Sequence, residues 1–422
     1  MDLLKETSHR IVSKDRNDMK CLFNILNRLV FSFLVLSFSQ NSFSGREFLG
    51  EVSFEGRYFS KEGLFDQDKF HSSISFSPEI YIESEDSKKS FTFKSKFRKD
   101  SEDSERDIID IQELHWTIVG NIFETKIGIR KDFWGVTETV HRVDIINQTD
   151  LVENIDGEDK LGQPMINISF EGLHGTFDAY ALLGFRERTF GGQNARLRAP
   201  ILVNTENPLY ESNSEEKRID FAFRWNQYFS AFEYAVSHFS GTSREPLFEI
   251  DLSKQAPLLR PLYNVIDQTG IEILYVLGNM ALKLEGFSRS GQEDRFSAAT
   301  AGVEYTQIGI FESRIDLGWI AEFNHDDRIE NSPISVGTRL TFNDIADTQI
   351  LSGLLWNQDT NEKNIFIEAS SRLKSCCKIS IEGVIFTKGK KLNTFNPYRE
   401  PQGLFDYFQD EDFLKLEFIY YL

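Results

Sequence analysis

"FLKLEFIYYL", residues 413–422, alternates in polarity along most of its length. From Leu414 every second residue is apolar: Leu414, Leu416, Phe418, Tyr420 and Leu422. Lys415 and Glu417 stand between them, followed by Ile419 and Tyr421. A period of two sends the apolar set to one face of a strand. A free strand end frays, and an unpaired edge with a greasy face invites aggregation. The segment therefore predicts a partner strand for its backbone and an apolar medium for its outer face.

The same alternation recurs upstream. In "SFTFKSKFR" (90–98) Phe91, Phe93 and Phe97 oppose Lys94, Lys96 and Arg98. In "RIDFAFRWN" (218–226) Ile219, Phe221, Phe223 and Trp225 oppose Arg218, Asp220, Ala222, Arg224 and Asn226. In "NIFETKIGIR" (121–130) Phe123, Ile127 and Ile129 oppose Glu124, Lys126 and Arg130. We count eighteen such segments: 47–58, 73–83, 90–98, 107–118, 121–130, 165–172, 175–185, 218–227, 229–240, 268–276, 279–288, 296–306, 311–323, 333–342, 348–357, 363–373, 378–388 and 412–422. No stretch has a long amphipathic helix period.

Connections alternate in length. Those after even-numbered strands are short, as at 119–121, 173–175, around Gln227, 277–279, 343–347 and 374–377. Several after odd-numbered strands are long, at 131–164, 186–217, 241–267 and 389–411. Short turns at one end and long loops at the other are expected of an outer-membrane barrel. The prediction is an all-β fold: a transmembrane antiparallel up-and-down β-barrel of about eighteen strands, with sixteen as the alternative. A soluble sandwich would bury the apolar faces in shared cores of much smaller units. Here no linker or internal repeat divides the chain.

The barrel needs export. Residues 1–18 are polar and patternless, whereas Met19 opens a basic stretch with Lys20 and Arg28. An apolar run, Leu29–Phe38, and small residues at Ser42 and Ser44 follow. This is the shape of a signal peptide over residues 1–44, with the true start at Met19 and a single barrel domain over 45–422. An N-terminal amphipathic anchor is the other reading of this stretch. The predicted location is the cell outer membrane of a Gram-negative bacterium.

The chain has 422 residues and a net charge of −19. Such a balance argues against nucleic acid as a partner, because phosphate binding needs clustered Lys and Arg. No Cys/His spacing suits a metal, and no cofactor is expected. Cys376 and Cys377 are neighbours in a polar turn. They are free thiols or a vicinal disulfide, the latter strained. No nucleophile-elbow, zincin or phosphate-cradling pattern is present, so no enzyme is expected. An outer-membrane phospholipase or protease is the competing possibility.

Two resemblances add to this reading. The last segment resembles the C-terminal signature of bacterial outer-membrane proteins, apolar or aromatic at the last, third-last and fifth-last places. Leu422 stands where Phe or Trp is usual. The resemblance implies recognition by the barrel-assembly machinery through this strand. The stretch "GIRKDFWGVTETVHRVDIINQTDL" (128–151) resembles a little-characterised family of outer-membrane porin-like β-barrels. In that family a strand-end Gly-Arg is followed by Trp-Gly and an Asp-x-x-Asn-x-x-Asp loop. The matching positions are Gly128, Arg130, Trp134, Gly135, Asp144, Asn147 and Asp150, with Ile129 inserted in the first element.

The connection 131–164 spans 34 residues, too long for a mere link. It carries Asp144, Asp150, Glu153, Asp156, Glu158 and Asp159. It reads as a constriction loop inside the barrel, as a calcium site, or as a solvated external loop with Trp134 at the membrane interface. Candidate pore-lining and constriction residues are Lys94, Lys96, Arg98, Glu113, Glu124, Lys126, Arg130, Trp134, Asp144, Asn147, Asp150, Arg218, Asp220, Arg224, Glu233 and Glu285, with Glu417 pointing inward as well.

The expected function is a porin-like channel for passive diffusion of small hydrophilic solutes, since barrels of this strand number leave an aqueous passage. The alternatives are transport or export of hydrophobic molecules or lipids, or a non-conducting surface barrel. Expected partners are outer-membrane lipids and small solutes, and the sequence also admits a homo-oligomer.

Overall fold

The computed structural model describes residues 43–253, 256–328, 332–358, 361–387, 408 and 410–422. Residues 1–42 and most of the connection 389–411 lie outside the described residues. Of the region 1–44, read above as a leader, Phe43 and Ser44 are described and open the first strand.

Eighteen strands form one closed antiparallel sheet. In chain order they are β1 (Phe43–Phe59), β2 (Phe70–Ser84), β3 (Lys89–Asp100), β4 (Ile108–Val119), β5 (Phe123–Arg130), β6 (Gln163–Gly172) and β7 (Gly175–Leu183). After the two-residue β8 (Leu209–Tyr210) come β9 (Ile219–Phe229) and β10 (Phe232–Thr242). Short strands β11 (Leu247–Asp251) and β12 (Leu258–Tyr263) precede β13 (Val265–Leu277), β14 (Met280–Ser290), β15 (Phe296–Gln307) and β16 (Asp316–Asp326). The wall ends with β17 (Ile334–Thr341), β18 (Gln349–Trp356), β19 (Lys363–Leu373), β20 (Cys377–Thr387) and β21 (Phe413–Tyr421). Each of the eighteen alternating segments is a wall strand.

Closure is made by β21 on β1, in register from Glu51 opposite Tyr421 to Phe59 opposite Phe413. The Leu422 N–H continues the ladder to the Gly50 carbonyl at 2.8 Å. This leaves the eighteen-strand wall without an edge. In hydrocarbon an unpaired backbone group costs several kcal/mol, so closure is what a membrane demands.

Polarity is inverted relative to a water-soluble fold. Phe221 and Phe223 are 51% and 47% exposed, while Asp220 between β9's apolar residues is fully buried. Leu414, Leu416, Phe418 and Tyr420 likewise face outward. Inward positions hold the buried Arg57, Arg98, Glu272, Glu285, Glu322 and Asn324. An exposed apolar band of this extent is a lipid-facing surface. No helix among the described residues is long and apolar enough to cross a membrane.

Two details depart from the sequence expectation. The turn placed around Gln227 falls at Ser230 and Ala231, since β9 runs on to Phe229. Strands β8, β12 and β11 form a separate three-stranded sheet in the long connections 184–218 and 243–264, which alternation alone read as loops. Cys376, in the turn, and Cys377, the first residue of β20, are free thiols, one of the two states read from the sequence.

The largest apolar core lies inside the barrel. Trp134, Val143, Ile145 and Ile146 pack against Met165, Tyr180, Leu182, Ala222, Phe239 and Ile266 on the inner wall.

Candidate functional site

The connection between β5 and β6 lies in the lumen. Its start is fixed by glycine. At Gly128 φ is +136°, and a Cβ would stand 2.1 Å from the Leu114 carbonyl oxygen on β4. Only glycine fits that approach. Arg130 then bonds Asn167 at 3.2 Å and pairs with Asp132. The loop closes on itself through Asn147. Its side-chain amide donates to the carbonyls of Arg130 (2.9 Å) and Leu161 (2.8 Å), and its oxygen accepts from the Asp132 N–H at 2.9 Å. One buried side chain thus ties both stems together. Asp144 accepts from the Trp134 N–H at 3.3 Å and pairs with Lys160 at 3.1 Å. Trp134 is buried edge-on against Tyr180, with ring centroids 5.6 Å apart. It is not a membrane-interface residue.

The loop tip reaches the far wall. Glu285 on β14 accepts from the N–H groups of Val136 (2.6 Å) and Thr137 (2.8 Å), and from the Thr137 hydroxyl at 2.6 Å. Glu322 on β16 accepts from the N–H groups of Glu138 (2.7 Å) and Thr139 (2.9 Å). Glu138 pairs with Arg339 on β17. Strand β17 stands nine places from β5 in either direction around the eighteen-strand ring. The loop therefore spans the barrel's diameter. Gly135, with φ +148°, allows the close pass over Glu285, whose Oε1 would sit 2.8 Å from a Cβ there. Phe133 remains exposed, its ring edge-on to His141 at 4.7 Å.

The returning arm is fixed on the near side. Glu153 pairs with Lys96 at 2.8 Å and with Arg98, both on β3. Burial alone would raise the Glu153 carboxyl, but these two cations hold it far below the usual carboxylate range. Asp150 accepts from the Thr189 hydroxyl at 2.6 Å. Burial and the neighbouring Glu153 and Asp156 push Asp159 up to about 7. No group of three or more His, Cys, Asp or Glu that could hold a metal exists among the described residues.

The sequence candidates fall into two sets. Asn147, Trp134, Asp220 and Glu285 are buried, as is the Asp144 side chain, and they hold structure together, so they do not line open water. Asp220 pairs with Arg218 and with Arg244 at 3.4 Å, and Arg244 donates to the Ile146 carbonyl of the loop. The other set faces the lumen, largely as ion pairs. Lys94 pairs with Glu79 at 3.7 Å, Lys126 with Glu124 at 2.5 Å and Arg224 with Glu272 at 2.9 Å. Lys283 pairs with Glu304 at 2.9 Å, and Lys415 with Glu382. Glu113 has His115 3.8 Å away. Glu233, Asp178, Glu368 and Glu417 have no cation within salt-bridge range among the described residues.

Sequence reading missed Glu272, Glu322 and Arg339, although alternation with Ile271, Phe323 and Leu340 places each of them inward. It also missed the cluster above the loop, where Glu245 meets Arg289 (3.1 Å) and Arg328 (2.8 Å). Burial would raise the Glu245 carboxyl, yet these arginines hold it far below its ordinary range.

The chain matches no protein-family model and no curated protein. Among solved structures it is similar to the in-vitro folded OmpT, an outer membrane protein of Vibrio cholerae in trimer form. The identity is 8%, over 90% of this chain and 99% of that chain, with a TM-score of 0.45. It is also similar to a mutant of the Rh. blastica porin, at 12% identity over 90% of this chain and 100% of that chain, with a TM-score of 0.42. Loop-deleted OmpT of the same Vibrio gives 9% identity, coverage of 90% and 99%, and a TM-score of 0.44.

Proposed function

We propose that this chain is a porin-like channel of the Gram-negative outer membrane, through which small hydrophilic solutes diffuse passively with a preference for cations. The observation that carries this is the loop 131–162, laid across the lumen of an eighteen-strand barrel and latched to the opposite wall. A barrel this wide leaves a water-filled passage, and a loop across it sets the narrowest section. The lumenal cations named above are matched by carboxylates. Arg372 and Lys378 face each other across the β19–β20 ladder without a carboxylate in range among the described residues, but Glu233, Asp178, Glu368 and Glu417 outnumber them, which favours positive solutes. Catalysis has no part in this reading. Lipid meets the outer face, and the assembly machinery engages β21.

The test is conductance of the refolded barrel in a planar bilayer under a salt gradient. A cation-selective reversal potential is expected. No current from the intact barrel, nor from one with both Glu285→Gln and Glu322→Gln to loosen the loop, would overturn the reading. The apolar packing of Trp134, Ile145 and Ile146 inside the wall favours a second reading, a non-conducting structural barrel, and that result would select it.

A further inference from the structure

The wall below the loop carries an apolar patch where a water-filled passage calls for polar lining. On β13 the inward positions change from Gln268, Gly270 and Glu272 to Leu274 and Val276 towards the short-turn mouth. Ala281 on β14 stands opposite Val276, and Lys283 opposite Leu274. These residues line an open cavity of about 430 Å³. That volume lies within the usual range of small-molecule sites, about 300–1,000 Å³. Its charges are asymmetric. Lys283 is already neutralised by Glu304 at 2.9 Å, and Glu304 has Arg339 3.7 Å away as well. Glu233 stands beside this lining, not in it, opposite Leu274 across the β10–β13 ladder, and has no cation of its own among the described residues.

We infer that this patch is a binding subsite for amphipathic organic cations, an inference that rests on the channel reading above by naming a class of solute for it. The apolar body lies on Leu274, Val276 and Ala281. The cationic head pairs with Glu233, where Lys283 offers little to an anion because Glu304 holds it. Carboxylate and apolar wall together reward a solute carrying both features over either alone.

The experiment measures calorimetric binding of methylammonium, hexylammonium and hexanoate to the refolded full barrel in phosphatidylcholine vesicles. Heats from protein-free vesicles are subtracted, and current block is recorded in parallel. Hexylammonium should bind at least about tenfold more tightly than methylammonium, because part of its chain leaves water. Leu274→Asn, and the near-isosteric Val276→Thr as a gentler second variant, should each cut that ratio to about threefold or less. Glu233→Gln should weaken both amines and preserve the ratio. Equal binding of the two amines, hexanoate binding as tightly as hexylammonium, or a ratio unmoved by both wall variants overturns the subsite. Chain-length-independent binding in a conducting barrel removes the subsite and leaves the channel. Chain-length-dependent binding in a barrel that passes no current upholds the subsite and removes passive diffusion.

Discussion

Glu285 is a fully buried carboxylate whose acceptor sites are taken by the loop, with Val143 N–H a fourth donor at 3.3 Å. Hydrogen bonds to a charged group contribute about 1.5–3 kcal/mol each, and several share this one. Glu285→Gln keeps the shape, removes the charge and turns an NH₂ towards backbone donors. Loop docking should weaken by about 2–4 kcal/mol, on the scale of one or two such bonds. The wall is held by its own ladder, so its thermal transition should hardly move. Single-channel conductance should rise and become noisier; unchanged conductance would show that the loop needs no latch. Gly128→Ala should act differently. Its Cβ would collide with backbone on β4, so the loss should appear as impaired assembly of β4 and β5, read by protease resistance of the refolded barrel. The contrast shows what was legible residue by residue. Gly128 and Gly135 stood out in the sequence as positions of the family resemblance. Glu285 was readable as an inward carboxylate but not as a latch, because a latch is defined by what reaches it from more than a hundred residues away.

Among the elements, alternation reveals the wall and little else. A wall strand has water on one side and lipid on the other, so each residue's polarity reports its face, and all eighteen strands were readable for that reason. The loop from β5 to β6 has no such boundary. Its Ile145 and Ile146 are buried by tertiary packing that no period encodes. The small sheet of β8, β12 and β11 was missed for a related cause: two residues are too short for a pattern, and β12 contains Pro261, which demotes a run as a strand signal. Face assignment has a direct test in β9. Phe221→Arg puts a charge on the lipid side and should cost about 2–4 kcal/mol near mid-membrane, measured by equilibrium refolding into vesicles. Its lumenal counterpart on β3, Lys94→Ser, removes the half-exposed partner of Glu79 and should leave that refolding energy within about 1 kcal/mol while shifting selectivity further towards cations. Equal destabilisation by the two would mean that the faces are reversed.

Across the whole molecule, loop docking and lumen charge share a dependence on pH. Asp159 sits at about 7 against an ordinary 3.8, raised by burial and then by Glu153 and Asp156. Burial lowers His141, but the Glu285 carboxylate 3.9 Å away, with Asp144 and Glu158 further off, more than offsets this and raises it above its ordinary value. Both groups therefore hold a proton in the docked loop that the undocked loop gives up at lower pH. For such groups docking gains as pH falls from about 8 to about 5, and loses as pH rises through the docked pKa values. Glu153 opposes this only below about pH 5, where its undocked carboxyl would take up a proton that the docked one, held far below the usual range by Lys96 and Arg98, does not. Acidification also removes negative charge from the loop spanning the passage. Reversal potentials measured at pH 8 and pH 5 should therefore show weaker cation preference at the lower value, with quieter and smaller currents. Asp159→Asn should already resemble the acid form at pH 8 and flatten the change between pH 6 and 8. The acidic wall residues Glu233 and Glu417 lie outside the loop, so some cation preference should survive in Asp159→Asn. Its complete loss there would place the selecting charge on the loop alone.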